Sequence, residues 1–154
     1  MSTNKSFSTE TSERYSRALF EVVKADDELN KVEADIQNFT NFFNSNSEIK
    51  EFIQNPTHSI TTQNKVVDLL AEKFGFSKNL KNFFFLLIEK RRIFFVKKIF
   101  DSFLRLCSKK RGEIKASLVS SKELSHNELE EISKDLSKLI GSKIKFNFKV
   151  DKEL

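Results

Sequence analysis

Apolar and polar positions recur along this chain with two different periods, and the change of period divides it. From Ser12 onward, Tyr15, Ala18, Leu19, Val22 and Val23 follow the three- and four-residue spacing that places them on one stripe of an α-helix. A second helix carries Leu29, Val32, Ile36, Phe39 and Phe43. Asp26 and Asp27 stand before it, where carboxylates favour the positive end of the helix dipole. A short third helix with Ile49, Phe52 and Ile53 must stop near Asn55, because Pro56 restricts its predecessor and offers no backbone N–H. Thr61 is expected to cap a fourth helix, with Val66, Leu69, Leu70 and Phe74 on its inner face and Gly75 at its end. Ser77 caps the fifth, lined by Leu80, Phe83, Phe84, Leu87 and Ile88. Ile93, Val96, Phe100, Phe103 and Cys107 line a sixth that ends at Gly112.

Beyond Gly112 the period becomes two. Ile114, Ala116 and Leu118 alternate with Glu113, Lys115 and Ser117, and Ile144, Phe146, Phe148 and Val150 alternate with Lys143, Lys145, Asn147 and Lys149. Each set reads as a strand with one buried face. Between them Ser125 and Glu128 make a capping box ahead of the stripe Leu129, Ile132, Leu136, Leu139 and Ile140, and Gly141 closes that helix. The expected class is therefore mainly α. A disordered segment 1–10 precedes a six-helix bundle over 11–111, and 112–154 forms a small α+β (β-α-β) unit that looks incomplete. Two strands make a marginal sheet, so a third is expected from further sequence or from a partner.

Composition supports long helices, since only three Gly and one Pro interrupt 154 residues. The longest apolar run, Phe83 to Ile88, is far short of the roughly 20 residues that a membrane-spanning helix needs. The opening MSTNKSFSTETS has neither the apolar stretch of a signal peptide nor the Arg-rich pattern of a transit peptide, which predicts an intracellular protein without a cleaved presequence. Cys107 is the one cysteine and reads as a small buried hydrophobe. The glycines are used up at helix ends, and neither GxxxxGK nor GxGxxG occurs. His58, Cys107 and His126 are too few and too scattered for a zinc site, and the two histidines read as exposed loop residues. No catalytic residue, cofactor or metal is expected.

Charge is unevenly spread. Residues 1–72 carry seven Lys and Arg against twelve Asp and Glu, residues 73–112 carry twelve against two, and residues 113–154 carry eight of each. Lys90, Arg91, Arg92, Lys97, Lys98, Lys109, Lys110 and Arg111 make the middle section resemble a phosphate-binding footprint. The alternative function is thus a helical adaptor with a basic nucleic-acid-binding face. Against it, Phe83, Phe84, Phe100 and Phe103 fall on core stripes, whereas base stacking needs exposed rings.

Several stretches together resemble one family. YSRALFEVV at Tyr15 to Val23 is similar to an opening YAxALF pattern, and Asn55-Pro56 with Lys65 is similar to an NP-then-Lys connection. NFFFLLIEKRR at Asn82 to Arg92 resembles NFLxLLxxNxR, with Lys90 and Arg91 in place of the commoner Asn and small residue. ASLVSSKELS at Ala116 to Ser125, an amphipathic helix, and KIKFNFKVD at Lys143 to Asp151 follow in the matching order. The family is the delta subunit of rotary F-type ATP synthase, the bacterial counterpart of the mitochondrial oligomycin-sensitivity-conferring protein, and the likeness spans about 11–154. Its members continue past the position of Asp151 with a Gly-Gly segment, a strand and a basic helix, so the C-terminal unit looks truncated.

The resemblance implies a non-catalytic stator subunit of the proton-translocating synthase, peripheral on the cytoplasmic face of the bacterial inner membrane and tied to that membrane only through the complex. Its bundle would bind the N-terminal helix of a catalytic-head alpha subunit between the first and fifth helices, through residues among Tyr15, Ala18, Leu19, Val22, Phe83, Phe84, Leu87 and Ile88. Its C-terminal unit would hold the C-terminal ends of the peripheral-stalk b subunits, and no nucleic acid would bind. Replacing Leu19 or Leu87 by Asp is expected to abolish head binding while leaving the monomer helical.

Overall fold

The computed structural model describes residues 6–25 and 27–153. Among them the elements run α1 (Phe7–Ala25), α2 (Leu29–Ser45), α3 (Ser47–Gln54), α4 (Ile60–Phe74), α5 (Lys78–Glu89), a 3-10 turn (Ile93–Phe95), α6 (Val96–Lys110), β1 (Glu113–Ser120), α7 (His126–Ile140) and β2 (Lys143–Val150). The chain divides into two compact units between Cys107 and Ser108, inside the last turn of α6 rather than at Gly112.

In the first unit the stripes meet around Phe39, whose ring packs edge-on against Phe84 at 5.1 Å and Phe100 at 5.5 Å. Val32, Ile36, Phe43, Leu80, Leu87, Ile88, Val96, Ile99, Phe103 and Cys107 are buried with them. Two helix starts depart from expectation. Residues 7–10 belong to α1, because Ser6 caps the helix and its carbonyl and hydroxyl both receive the Thr9 N–H. Residues 1–5 of the expected disordered segment lie outside the described residues. Ser59, not Thr61, caps α4, with its hydroxyl accepting the Thr62 N–H at 3.1 Å.

Before α2, Asp26 lies outside the described residues and Asp27 takes a left-handed φ of 56°. Glu28 occupies the cap position with no side-chain bond to the helix. The polar anchor of α2 is instead Asp35, a buried carboxylate that accepts the Ser77 N–H at 2.9 Å and so fixes the entry to α5. On α4 the inward face is turned from the expected one: Gln63, Val67, Leu70 and Ala71 are buried, Val66 and Phe74 are half-buried, and Leu69 is 65% exposed.

The second unit is a parallel pair, β1 on β2, in register from Glu113 opposite Lys143 to Ser120 opposite Val150. The crossover helix α7 starts from the expected capping box, with the Ser125 hydroxyl accepting the Glu128 N–H and the Glu128 carboxylate accepting the Ser125 N–H. Glu113 lies between Arg111, at 2.9 Å, and Lys145, at 3.3 Å. The Arg111 hydrogen bond, helped by Lys145, brings its carboxyl from 4.5 down to about 2.

Candidate functional site

The ordering of α1 against α5 follows from two contacts. The Tyr15 ring meets Phe83 edge-on at 6.4 Å, and the Asn79 amide donates to the Glu28 carboxylate at 2.8 Å across the connection from α1 to α2. On its other side α1 is held to α6 by Phe20 against Phe103 at 6.1 Å and by the buried Ser16 and Ser102 hydroxyls, 2.8 Å apart.

This arrangement sorts the eight residues expected at the interface. Leu19, Phe83, Phe84, Leu87 and Ile88 are buried core side chains. Tyr15 is half-buried, Ala18 is exposed and Val22 is 51% exposed. The last three lie on the side of α1 that carries the Tyr15 contact to α5, since positions three, four and seven apart share a face. One turn beyond Phe83 on α5, Leu86 is 38% exposed and extends the same apolar strip. Leu86 is not among the eight residues expected from the sequence, although the length of the run from Phe83 to Ile88 points to apolar surface beyond the core stripe. Six consecutive apolar residues cover more of a helix than one core stripe needs.

Burial also revises the expected Asp substitutions. Leu19 and Leu87 have almost no exposed surface, so an unpaired carboxylate at either would be placed in the core and would unfold the bundle instead of selectively blocking a partner.

The basic section is laced into local contacts. Lys97 pairs with Asp101 at 3.0 Å, Lys98 donates to the Ser8 hydroxyl at 2.9 Å, Lys81 pairs with Asp68 at 2.6 Å, and Arg92 lies over the Phe7 ring at 5.2 Å. Phe83, Phe84, Phe100 and Phe103 are buried, so none offers a face to a base. His58 is not a free loop side chain, for it is half-buried and stacks on Phe52 at 4.3 Å. His126 opens α7 and lies 3.3 Å from Glu130. Among the described residues no three His, Cys, Asp or Glu gather to hold a metal ion, and no helix is long and apolar enough to cross a membrane.

In the second unit the apolar surface is thinly covered. Ile144 is buried, α7 has no buried residue, and Leu139 and Ile140 are exposed. The stripe expected on α7 holds for Leu129, Ile132 and Leu136, which are half-buried, and fails for its last two members.

Comparison with known proteins agrees along nearly the whole chain. The family model for the ATP synthase delta (OSCP) subunit matches residues 11–154. A Pelagibacter ubique protein named ATP synthase subunit delta is 40% identical over 154 residues, which is all of this chain and 83% of that protein. A Parvibaculum lavamentivorans protein of the same name is 32% identical, covering 92% of this chain and 73% of its own length. The fold is shared with a chain in the cryo-EM structure of the Toxoplasma gondii mitochondrial ATP synthase hexamer, at a TM-score of 0.74 and 22% identity, over 91% of this chain and 77% of that one.

Proposed function

This chain belongs to the ATP synthase delta (OSCP) subunit family, and we propose that it acts there as a non-catalytic stator joint between the catalytic head and the peripheral stalk. The head side is the strip between α1 and α5. The N-terminal helix of an alpha subunit lays its apolar face over Ala18 and Val22 on one wall and Leu86 on the other, with Tyr15 at the seam. Leu19, Phe83, Phe84, Leu87 and Ile88 lie beneath and keep the two walls rigid. The stalk side is the second unit, where the b-subunit ends cover apolar surface on α7. The complex carries the subunit on the cytoplasmic face of the bacterial inner membrane.

A single observation carries the head-side reading: α1 presents an apolar pair, Ala18 and Val22, to solvent on its α5 side although its core stripe is already satisfied by Leu19, Phe20 and Val23. The small side chain of Ala18 allows close approach of a second helix. No bond is made or broken; the joint must release far more slowly than the motor turns, which apolar helix packing provides. Calorimetry of the whole chain with a synthetic peptide of its own organism's alpha-subunit N-terminal helix, at two salt concentrations, tests this. Binding that changes little with salt is expected. A folded chain that fails to bind, or affinity for nucleic acid that falls steeply with salt, would defeat the proposal.

A further inference from the structure

Glu28 is bonded to both helices that wall the proposed head-binding strip. α1 closes in a left-handed turn at Asp27, whose φ is 56°, and the Glu28 N–H then donates to the Val23 carbonyl, in the last turns of α1, at 3.0 Å. The Glu28 carboxylate accepts the Asn79 side-chain amide at 2.8 Å, and Asn79 lies in the first turn of α5. One residue is therefore tied through its backbone to one wall and through its side chain to the other. The carboxylate is drawn away from its ordinary use to do this. Glu28 stands at the cap of α2, at φ −101° and ψ 9°, and makes no side-chain bond to that helix. The caps of α3, α4, α5 and α7 each accept an N–H of their own helix. The start of α5 is also anchored on α2, where Lys31 Nζ donates to the Gly75 carbonyl at 3.3 Å and Asp35 accepts the Ser77 N–H. Those two contacts hold α5 to α2, whereas the Glu28 bond relates α5 to the end of α1.

We propose that Glu28 is a positioning residue for the head: through Asn79 it sets the spacing of α1 and α5 at the Val22 end of the strip before the partner helix arrives. This rests on the head-side reading above and adds to it residues that the partner does not touch. The Tyr15 ring against Phe83 holds the two walls at a second place, and two separated contacts fix an angle as well as a distance. Glu28 and Asn79 are both half-buried, so their bond competes less with water than one on the open surface. Preset spacing matters because a partner helix gains its apolar contact with Val22 and Leu86 only when the walls stand at the right separation. Any fraction of the chain with the walls apart lowers the apparent affinity by that fraction.

The test is calorimetry of the whole chain with the alpha-subunit helix peptide, run on the parent and on Glu28→Ala, Asn79→Ala, the double variant and Glu28→Gln, with urea unfolding of each. Either alanine variant is expected to raise Kd about three- to tenfold. The double variant should be no weaker than the weaker single one, because both remove the same bond. Glu28→Gln keeps an accepting oxygen for the Asn79 amide and should bind within about twofold of the parent. Ser59→Ala is the control for stability alone: it loses the cap bond of α4, and its Kd should stay at the parent value. Parent affinity in both alanine variants, additive losses in the double variant, no rescue by Glu28→Gln, or an equal loss in Ser59→Ala would each overturn the proposal while the head-side reading stands. A folded parent that does not bind the peptide removes the head-side reading, and the role of Glu28 with it.

Discussion

Replacing Val22 by Asp separates partner binding from folding, which the buried positions cannot do. Val22 is 51% exposed in the free chain, so about half of the 1.5–3 kcal/mol available from burying a valine, about 1 kcal/mol, is still to be gained against a partner helix. Placing a carboxylate in that apolar contact costs a further ~1–3 kcal/mol. The sum, about 2–4 kcal/mol, weakens the alpha-subunit peptide by about 30- to 1,000-fold in Kd. The folded chain barely notices. Val22 is near the C-terminal end of α1, where a negative charge opposes the helix dipole by about 0.3–1 kcal/mol. Calorimetry reads the first effect and urea unfolding the second. Leu87→Ala is the contrasting control: it removes a fully buried side chain and costs ~2–5 kcal/mol of stability. A Val22→Asp chain that binds within threefold of the parent, at unchanged stability, would refute the placement of the head on this side of α1.

Four further outcomes are expected. Ser59→Ala should lower stability by ~1 kcal/mol by thermal unfolding while Thr61→Ala changes it little, because Ser59 makes the cap bond of α4. Asp35→Ala should cost ~1–3 kcal/mol in urea, since the Ser77 N–H would stay buried without its carboxylate. Gly75→Ala should be destabilising by ~1–2 kcal/mol because φ is +65°, although the added methyl meets no neighbour within 4 Å. Glu113 is held down to about 2 from 4.5, so the stabilisation it contributes is complete above pH 4.5 and is lost as pH falls toward 2. NMR titration of its carboxyl should show that low midpoint, and Arg111→Gln should move it up.

What could be read in the sequence was the core of the bundle, and the reason is periodicity. The stripes on α2, α5 and α6 consist of large apolar residues with polar neighbours, so spacing alone identified Phe39, Leu80, Phe84, Val96, Phe100 and Phe103. It misjudged α4, where Leu69 and Leu70 are adjacent and both apolar, and a buried Gln63 fixes the face that hydrophobicity would not choose. It also missed the first turn of α1. In that turn, residues 7–10, the Ser8 carbonyl accepts the Ser12 hydroxyl at 2.7 Å, and hydroxyls that bond locally look like solvated tail in a hydropathy pattern. For the interface proposed between α1 and α5, spacing could not separate buried from exposed members of the expected set, because facing the core and facing a partner call for the same residue types. Angle about the helix separates them, and burial together with the Tyr15 contact to Phe83 supplies it.

The second unit leads to a prediction of a different kind. Its crossover helix begins from a complete capping box and ends at a left-handed Gly141, so local signals define α7 well at both ends. Yet it buries no residue, and Leu139, at 81% exposure, faces solvent. Local signals of that size contribute about 1 kcal/mol each, whereas the slow opening of α5 and α6 rests on side chains buried completely. Amide hydrogen exchange should therefore be at least ~100-fold faster in α7 than in the core turns of α5 and α6. If the stalk ends cover this unit, adding the C-terminal segment of the b subunit slows exchange across α7 and leaves α5 and α6 as they were. Uniform slowing, or none, would mean that the apolar side of α7 is not where the stalk is held.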